Sequence, residues 1–197
     1  MNLSAKSMNK VLTLMLGLWA AVPSQLQAQQ VYVSRNATIS FYSSAPIEDI
    51  QAQTSQAVSA VNLATGSVYF KVQIRSFRFP KSLMQEHFNT DYMGSDQYPY
   101  AEFSGKLQGL PADPADGAYP VMVDGKLTIH GVSKEYKENG TLTLNSGRLT
   151  IVSSFKVKLA DHRIKIPSLL FQHIAEVVDV KVNATYLKSA PPQAGTR

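Results

Sequence analysis

Residues 77–103 read FRFPKSLMQEHFNTDYMGSDQYPYAEF, and residues 125–136 read GKLTIHGVSKEY. In the first stretch Phe77-Arg78-Phe79 alternates as a strand does, and Pro80 then suits the first turn of a helix. Leu83, Met84, His87 and Phe88 fall on one stripe about 140° wide at 100° per residue, which predicts a short amphipathic helix from Pro80 to Tyr92. Gly94 is the stop signal, and Tyr98-Pro99 leads back into a strand carrying Phe103. Such a helix would lie across one end of whatever the flanking strands build.

Those strands dominate the rest of the chain. Val68, Phe70, Val72 and Ile74 alternate with Tyr69, Lys71, Gln73 and Arg75, the pattern of a half-buried strand. Leu149, Ile151, Phe155 and Val157 repeat it, as do Val178, Val180, Val182, Ala184 and Tyr186. Shorter runs occur at Ile39 and Phe41, at Phe103 and Leu107, and from Val121 to Ile129. Turn signals stand at Thr65-Gly66, Asp116-Gly117, Asp124-Gly125, Asn139-Gly140 and Ser146-Gly147. Many antiparallel strands with tight turns mean a barrel or a sandwich.

Two glycines argue for the barrel. Gly125 lies inside a continuous alternation, so a bulge or bend is expected there rather than a hairpin. Around Gly131 the inward phase shifts from Leu127 and Ile129 to Val132 and Tyr136, which one extra residue absorbed at Gly131 would explain. Bulges curve a sheet enough to close it. A second short helix is expected near Ser168–Glu176, with Leu169, Leu170, His173 and Ile174 on one side.

The ends and composition limit function. Lys6 and Lys10 precede an apolar run, VLTLMLGLWAAV at 11–22, and Leu26-Gln27-Ala28 offers a cleavage position. Residues 1–28 therefore read as a secretory signal peptide, too short for a comfortable bilayer span. There is no cysteine, hence no disulfide, no thiolate nucleophile and no lipoprotein attachment. The expected product is periplasmic or secreted: one domain over 29–188, followed by a disordered tail, SAPPQAGTR at 189–197. The first 28 residues hold two of the 19 basic residues and none of the 14 acids, leaving 17 against 14 and a net of +3. Those basic residues are scattered along strand faces, which excludes nucleic acid as a partner and leaves transient contact with anionic lipid headgroups open. A homodimer is equally compatible.

Catalytic patterns are missing. No Gly-x-Ser-x-Gly elbow, His-Glu-x-x-His or phosphate-binding glycine loop is present. The four histidines, His87, His130, His162 and His173, lack the close spacing of a metal site. Asp161-His162 reads as part of a turn. Inward phenylalanines at Phe41, Phe70, Phe103 and Phe155 fill any β-core, but an eight-stranded barrel can instead hold one small ligand. Ala101, Gly105, Ser153 and Ala184 take inward positions with little bulk and could leave room along the axis.

The order Phe-x-Phe, Leu-Met-x-x-His-Phe, Tyr-Pro, Phe and then Leu-Thr-Ile-His-Gly-Val resembles the YceI-like family of periplasmic lipid-binding proteins. The resemblance runs from about Asn36 to Lys188. It implies an all-β fold, a closed antiparallel lipocalin-like barrel of about eight strands with one or two short helices. It also implies a non-enzymatic carrier that holds a long isoprenoid or quinone-like lipid, with no other cofactor and no metal. Residues expected to touch such a lipid are Phe41, Phe70, Val72, Ile74, Phe79, Leu83, Met84, His87, Phe88, Phe103, Phe155 and Val157. The alternative is a self-filled barrel acting through its surface as an interaction or stress-related protein, with no bound lipid.

Overall fold

A computed structural model describes residues 31–44, 48–166 and 175–188. The expected signal segment, the tail and residues 168–174 of the expected second helix lie outside the described residues. Eight strands follow in chain order: β1 Val31–Ser43, β2 Ile50–Asn62, β3 Ser67–Gln73, β4 Tyr100–Gln108, β5 Gly117–Ile129, β6 Val132–Asn145, β7 Arg148–Lys158 and β8 Val177–Lys188. Each is antiparallel to the next, and β8 pairs with β1, so the sheet closes into a barrel. Closure removes both open edges of the sheet, which is how an all-β chain avoids exposing unpaired backbone.

The alternation seen in the sequence is the inside–outside pattern of the wall. Val68 and Val72 of β3 are buried, and so are Leu149, Ile151 and Val157 of β7. One end is packed shut. Leu142, Leu149, Val61 and Ala184 have no accessible surface there, and Tyr186 is equally buried. Tyr186 donates to Ser59 Oγ at 2.8 Å, and Ser59 in turn donates to the Tyr69 carbonyl at 2.7 Å. A hydroxyl this deep needs a partner, and burial raises the Tyr186 pKa.

Register shifts fall elsewhere than expected. The β5–β6 ladder runs unbroken to Ile129↔Val132, so Gly131 is no bulge. His130 and Gly131 form a two-residue hairpin turn, with φ of 51° and 72°. Such a turn joins an odd residue to an even one, which is why the inward phase changes there. The register shifts lie in β1 instead, between Ser34 and Ala37 and between Ala37 and Ile39 against β2, and between Val33 and Thr38 against β8. Asn139-Gly140, expected as a turn, lies inside β6.

Gly125 is also free of any register shift; it pairs with Gly105 and Tyr136. A Cβ at Gly125 would sit 2.5 Å from Gly105 Cα and 2.9 Å from the Phe103 ring, and one at Gly105 would meet the same ring at 2.8 Å. The two glycines therefore let Phe103 lie against the sheet where any side chain would collide with it.

Between β3 and β4 the chain crosses the open end. After a 3-10 turn at Ile74–Ser76, helix α1 covers Ser82–His87 and continues as a π-helical turn, Phe88–Tyr92. The helix is thus shorter than the expected 80–92, its last five residues being wider-wound. Both ends of this crossing are pinned. Gln53 of β2 and Arg78 exchange backbone hydrogen bonds at 3.2 and 2.8 Å, and the Ile74 N–H donates to the Pro99 carbonyl at 2.9 Å.

Candidate ligand cavity

Beneath α1 the barrel contains a cavity of about 600 Å³. This is within the usual size of ligand pockets, roughly 300–1,000 Å³. All twelve residues singled out from the sequence border it. Phe41, Phe79 and Phe88 form an aromatic group with Phe77 directly under the helix. Phe79 and Phe88 have ring centroids 4.9 Å apart, Phe41 and Phe79 5.8 Å, and Phe77 and Phe88 5.8 Å. The Gln53–Arg78 bridge explains the arrangement, because it holds Arg78 outward and sends its neighbours Phe77 and Phe79 to the other side.

Phe70 and Val72 line the β3 wall, with Val72 opposite the small Ala101 of β4, and Ile74 borders the cavity from the 3-10 turn that follows. Ile74 packs with Met93 and Ile164, a second cluster that fastens the crossing segment to the turn after β7. Phe103 and Val157 contribute from β4 and β7. Leu83, Met84 and His87 stand at the mouth, where Leu83 is 59% exposed and His87 is exposed as well.

The wall between β6 and β7 has a feature that the sequence did not disclose. Their ladder runs only from Asn145/Arg148 to Gly140/Ser153. Toward the mouth the gap is filled by a 3-10 turn, Leu159–His162. His162, expected in an ordinary turn, is wholly buried. Its Nδ1 lies 3.0 Å from the Val132 carbonyl, which can only accept, so Nδ1 carries the proton. Nε2 is then free to accept from the Tyr136 hydroxyl at 3.1 Å. Burial lowers the His162 pKa, which favours this neutral form, and burial raises that of Tyr136. The Tyr136 ring also meets Phe155 edge-on at 6.1 Å.

Tyr136 and Glu138 border the cavity and were missed as site residues. Their signal was present in the even phase of β6, shared with the buried Leu142 and Leu144. No group of three His, Asp or Glu that could hold a metal occurs among the described residues. His130 is engaged with the His162 carbonyl at 3.3 Å and with the Tyr98 ring at 4.4 Å.

Comparison with known proteins agrees with this architecture. Several solved structures share the fold at low sequence identity. A polyisoprenoid binding domain from Saccharophagus degradans, implicated in plant cell wall breakdown, is 15% identical with a TM-score of 0.70, covering 82% of this chain and 99% of the other. BcnA from Burkholderia cenocepacia is 20% identical with a TM-score of 0.64, covering 76% and 95%. A YCEI protein from Campylobacter jejuni is 16% identical with a TM-score of 0.54, covering 73% and 87%. Among curated proteins none matches significantly. The YceI-like domain profile matches residues 24–186, most of the chain, and the protein accordingly belongs to the YceI-like family.

Proposed function

We propose that this protein is an exported, non-enzymatic carrier or sequestering protein for a long isoprenoid or quinone-like lipid. The observation that carries this reading is the apolar cavity of about 600 Å³, roofed by α1 and reached from one end of the barrel. A self-filled barrel would have no such space. The polyisoprenoid-binding description of the S. degradans relative supports the choice of ligand class, and the N-terminal residues 1–28 support export.

Burying one five-carbon isoprene unit is worth roughly 3–4 kcal/mol against water. Water is the wrong reference, however, because the lipid starts in a membrane with its tail already dry. Transfer into the barrel gains little from the hydrophobic effect. Selection then rests on cavity shape and on the few polar groups that face the ligand. The exposed Leu83 at the mouth suits transient contact with a membrane surface, and Lys81, ion-paired with Glu48, borders the same cavity.

The test is to express the full chain with its N-terminal segment, purify it without detergent and extract it with organic solvent. Mass spectrometry should find a stoichiometric isoprenoid or quinone-like lipid, and stripped protein should take up added polyprenol or quinone. Absence of both would overturn the reading.

A further inference from the structure

Glu138 is a carboxyl group on the lumen side of an apolar wall. It shares the inward phase of β6 with Tyr136, Leu142 and Leu144, while its neighbours Lys137 and Asn139 are exposed. It borders the cavity and is half-buried. Across the ladder it pairs with Val123, which pairs with Leu107, both apolar and both lining the same space. Its carboxyl group makes no hydrogen bond or ion pair with a described residue. Its lysine neighbour Lys137 pairs across the ladder with Asp124 on the outer face. Burial raises the Glu138 pKa.

A carboxyl in such a place is costly unless something satisfies it. A hydrocarbon tail laid over it would remove its remaining water and return nothing. A ligand head that can hydrogen-bond would restore what is lost, whereas an anionic head would be repelled by the ionised form. Glu138 also stands midway along β6, between Val132 beside the turn at the mouth and the buried Leu142 of the shut end, so a head that reaches it has entered first.

We propose that Glu138 is a specificity-determining residue that receives a neutral hydrogen-bonding lipid head, such as a hydroxyl, deep in the barrel and rejects anionic heads. This rests on the carrier reading above. The probes are a polyprenol and the polyprenyl phosphate of equal length, offered separately to stripped wild-type protein, to E138Q and to E138L, with uptake measured at pH 7.5. Wild type should prefer the alcohol by at least about tenfold, a difference of 1.4 kcal/mol. E138Q should narrow that ratio about fivefold by gaining phosphate binding, and E138L should lose affinity for the alcohol. Circular dichroism confirms that both variants are folded. Uptake of both lipids with a ratio unchanged in E138Q and E138L would overturn this assignment and leave the carrier reading standing. No uptake of either lipid by wild type would overturn both.

Discussion

Phe88 of the crossing segment stacks on Phe41 of β1 with ring centroids 5.5 Å apart and planes 25° from parallel. The contact ties the roof of the cavity to its wall. No residue of α1 or of the π-helical turn is fully buried, so the segment is held down mainly by this ring and by its pinned ends. A roof fastened at both ends but lightly seated between them can lift without unfolding the barrel.

Phe88→Ala should therefore speed lipid exchange more than it harms the fold. A half-buried ring forfeits less than the 3–5 kcal/mol of a fully buried phenylalanine, about 1–3 kcal/mol here. Stopped-flow transfer of a fluorescent polyprenol to acceptor vesicles should accelerate by about an order of magnitude or more, an expectation based on the loss of the aromatic contacts. An unchanged rate in a folded variant would show that Phe88 does not gate the cavity.

Val72→Trp should fill part of the cavity from the β3 wall. Val72 is 6% exposed and stands opposite Ala101, whose small side chain leaves room for the indole. Overpacking costs about 1–3 kcal/mol, so the fold should survive while lipid uptake falls. The chain's single tryptophan, Trp19, lies in the expected signal segment, so the new indole would report on the cavity by fluorescence in the processed protein. Full uptake with no fluorescence response would remove Val72 from the binding surface.

The barrel, and the twelve cavity-bordering residues named from the sequence, were legible because strand alternation and inward facing are the same physical fact. Val68 to Ile74 shows the rule plainly. What escaped were features that alternation along one segment does not fix. His130-Gly131 reads as a bulge when only phase is considered, yet its two positive φ angles make it a turn. Asn139-Gly140 carries a strong turn signature, but the β5 ladder holds both residues extended, and Gly140 is paired to β7 as well. His162 looked like a loop residue because nothing local reveals that β6 and β7 part beside it. Glu138 was hidden for a related reason: with Asn139-Gly140 taken as a turn, its place on an inward face could not be followed from Tyr136 to Leu142.

Leu142→Ala, at the shut end, should separate stability from binding. Leu142 has no exposed surface and does not border the cavity. Its truncation should cost about 2–5 kcal/mol in urea unfolding. Lipid stoichiometry below the transition should stay at the wild-type value. A matching loss of lipid under folded conditions would mean that the shut end is part of the binding space.

His162 should make the barrel sensitive to acid. Its folded pKa lies below the ordinary histidine value of 6.5, chiefly because of burial, with hydrogen bonds to backbone carbonyls and nearby Asp161 opposing the shift. Between the folded and the ordinary values, the unfolded chain holds a proton that the folded chain does not. Stability therefore rises with pH across that window, and is lost as pH falls below about 6.5. Glu138 works in the opposite sense: its raised folded pKa gives stability that is present at low pH and is lost as pH rises from 4.5 toward its folded value. The two are told apart by substitution. Wild-type Tm should fall from pH 7 to pH 5, each kcal/mol lost appearing as about 2–4 °C for a domain of this size. His162→Gln should be less stable at pH 7 but flatter across the same range, because glutamine can keep a donor and an acceptor in place without titrating. E138Q should leave the acid-side loss intact. Equal slopes for wild type and His162→Gln would show that His162 does not set the acid limit of the barrel.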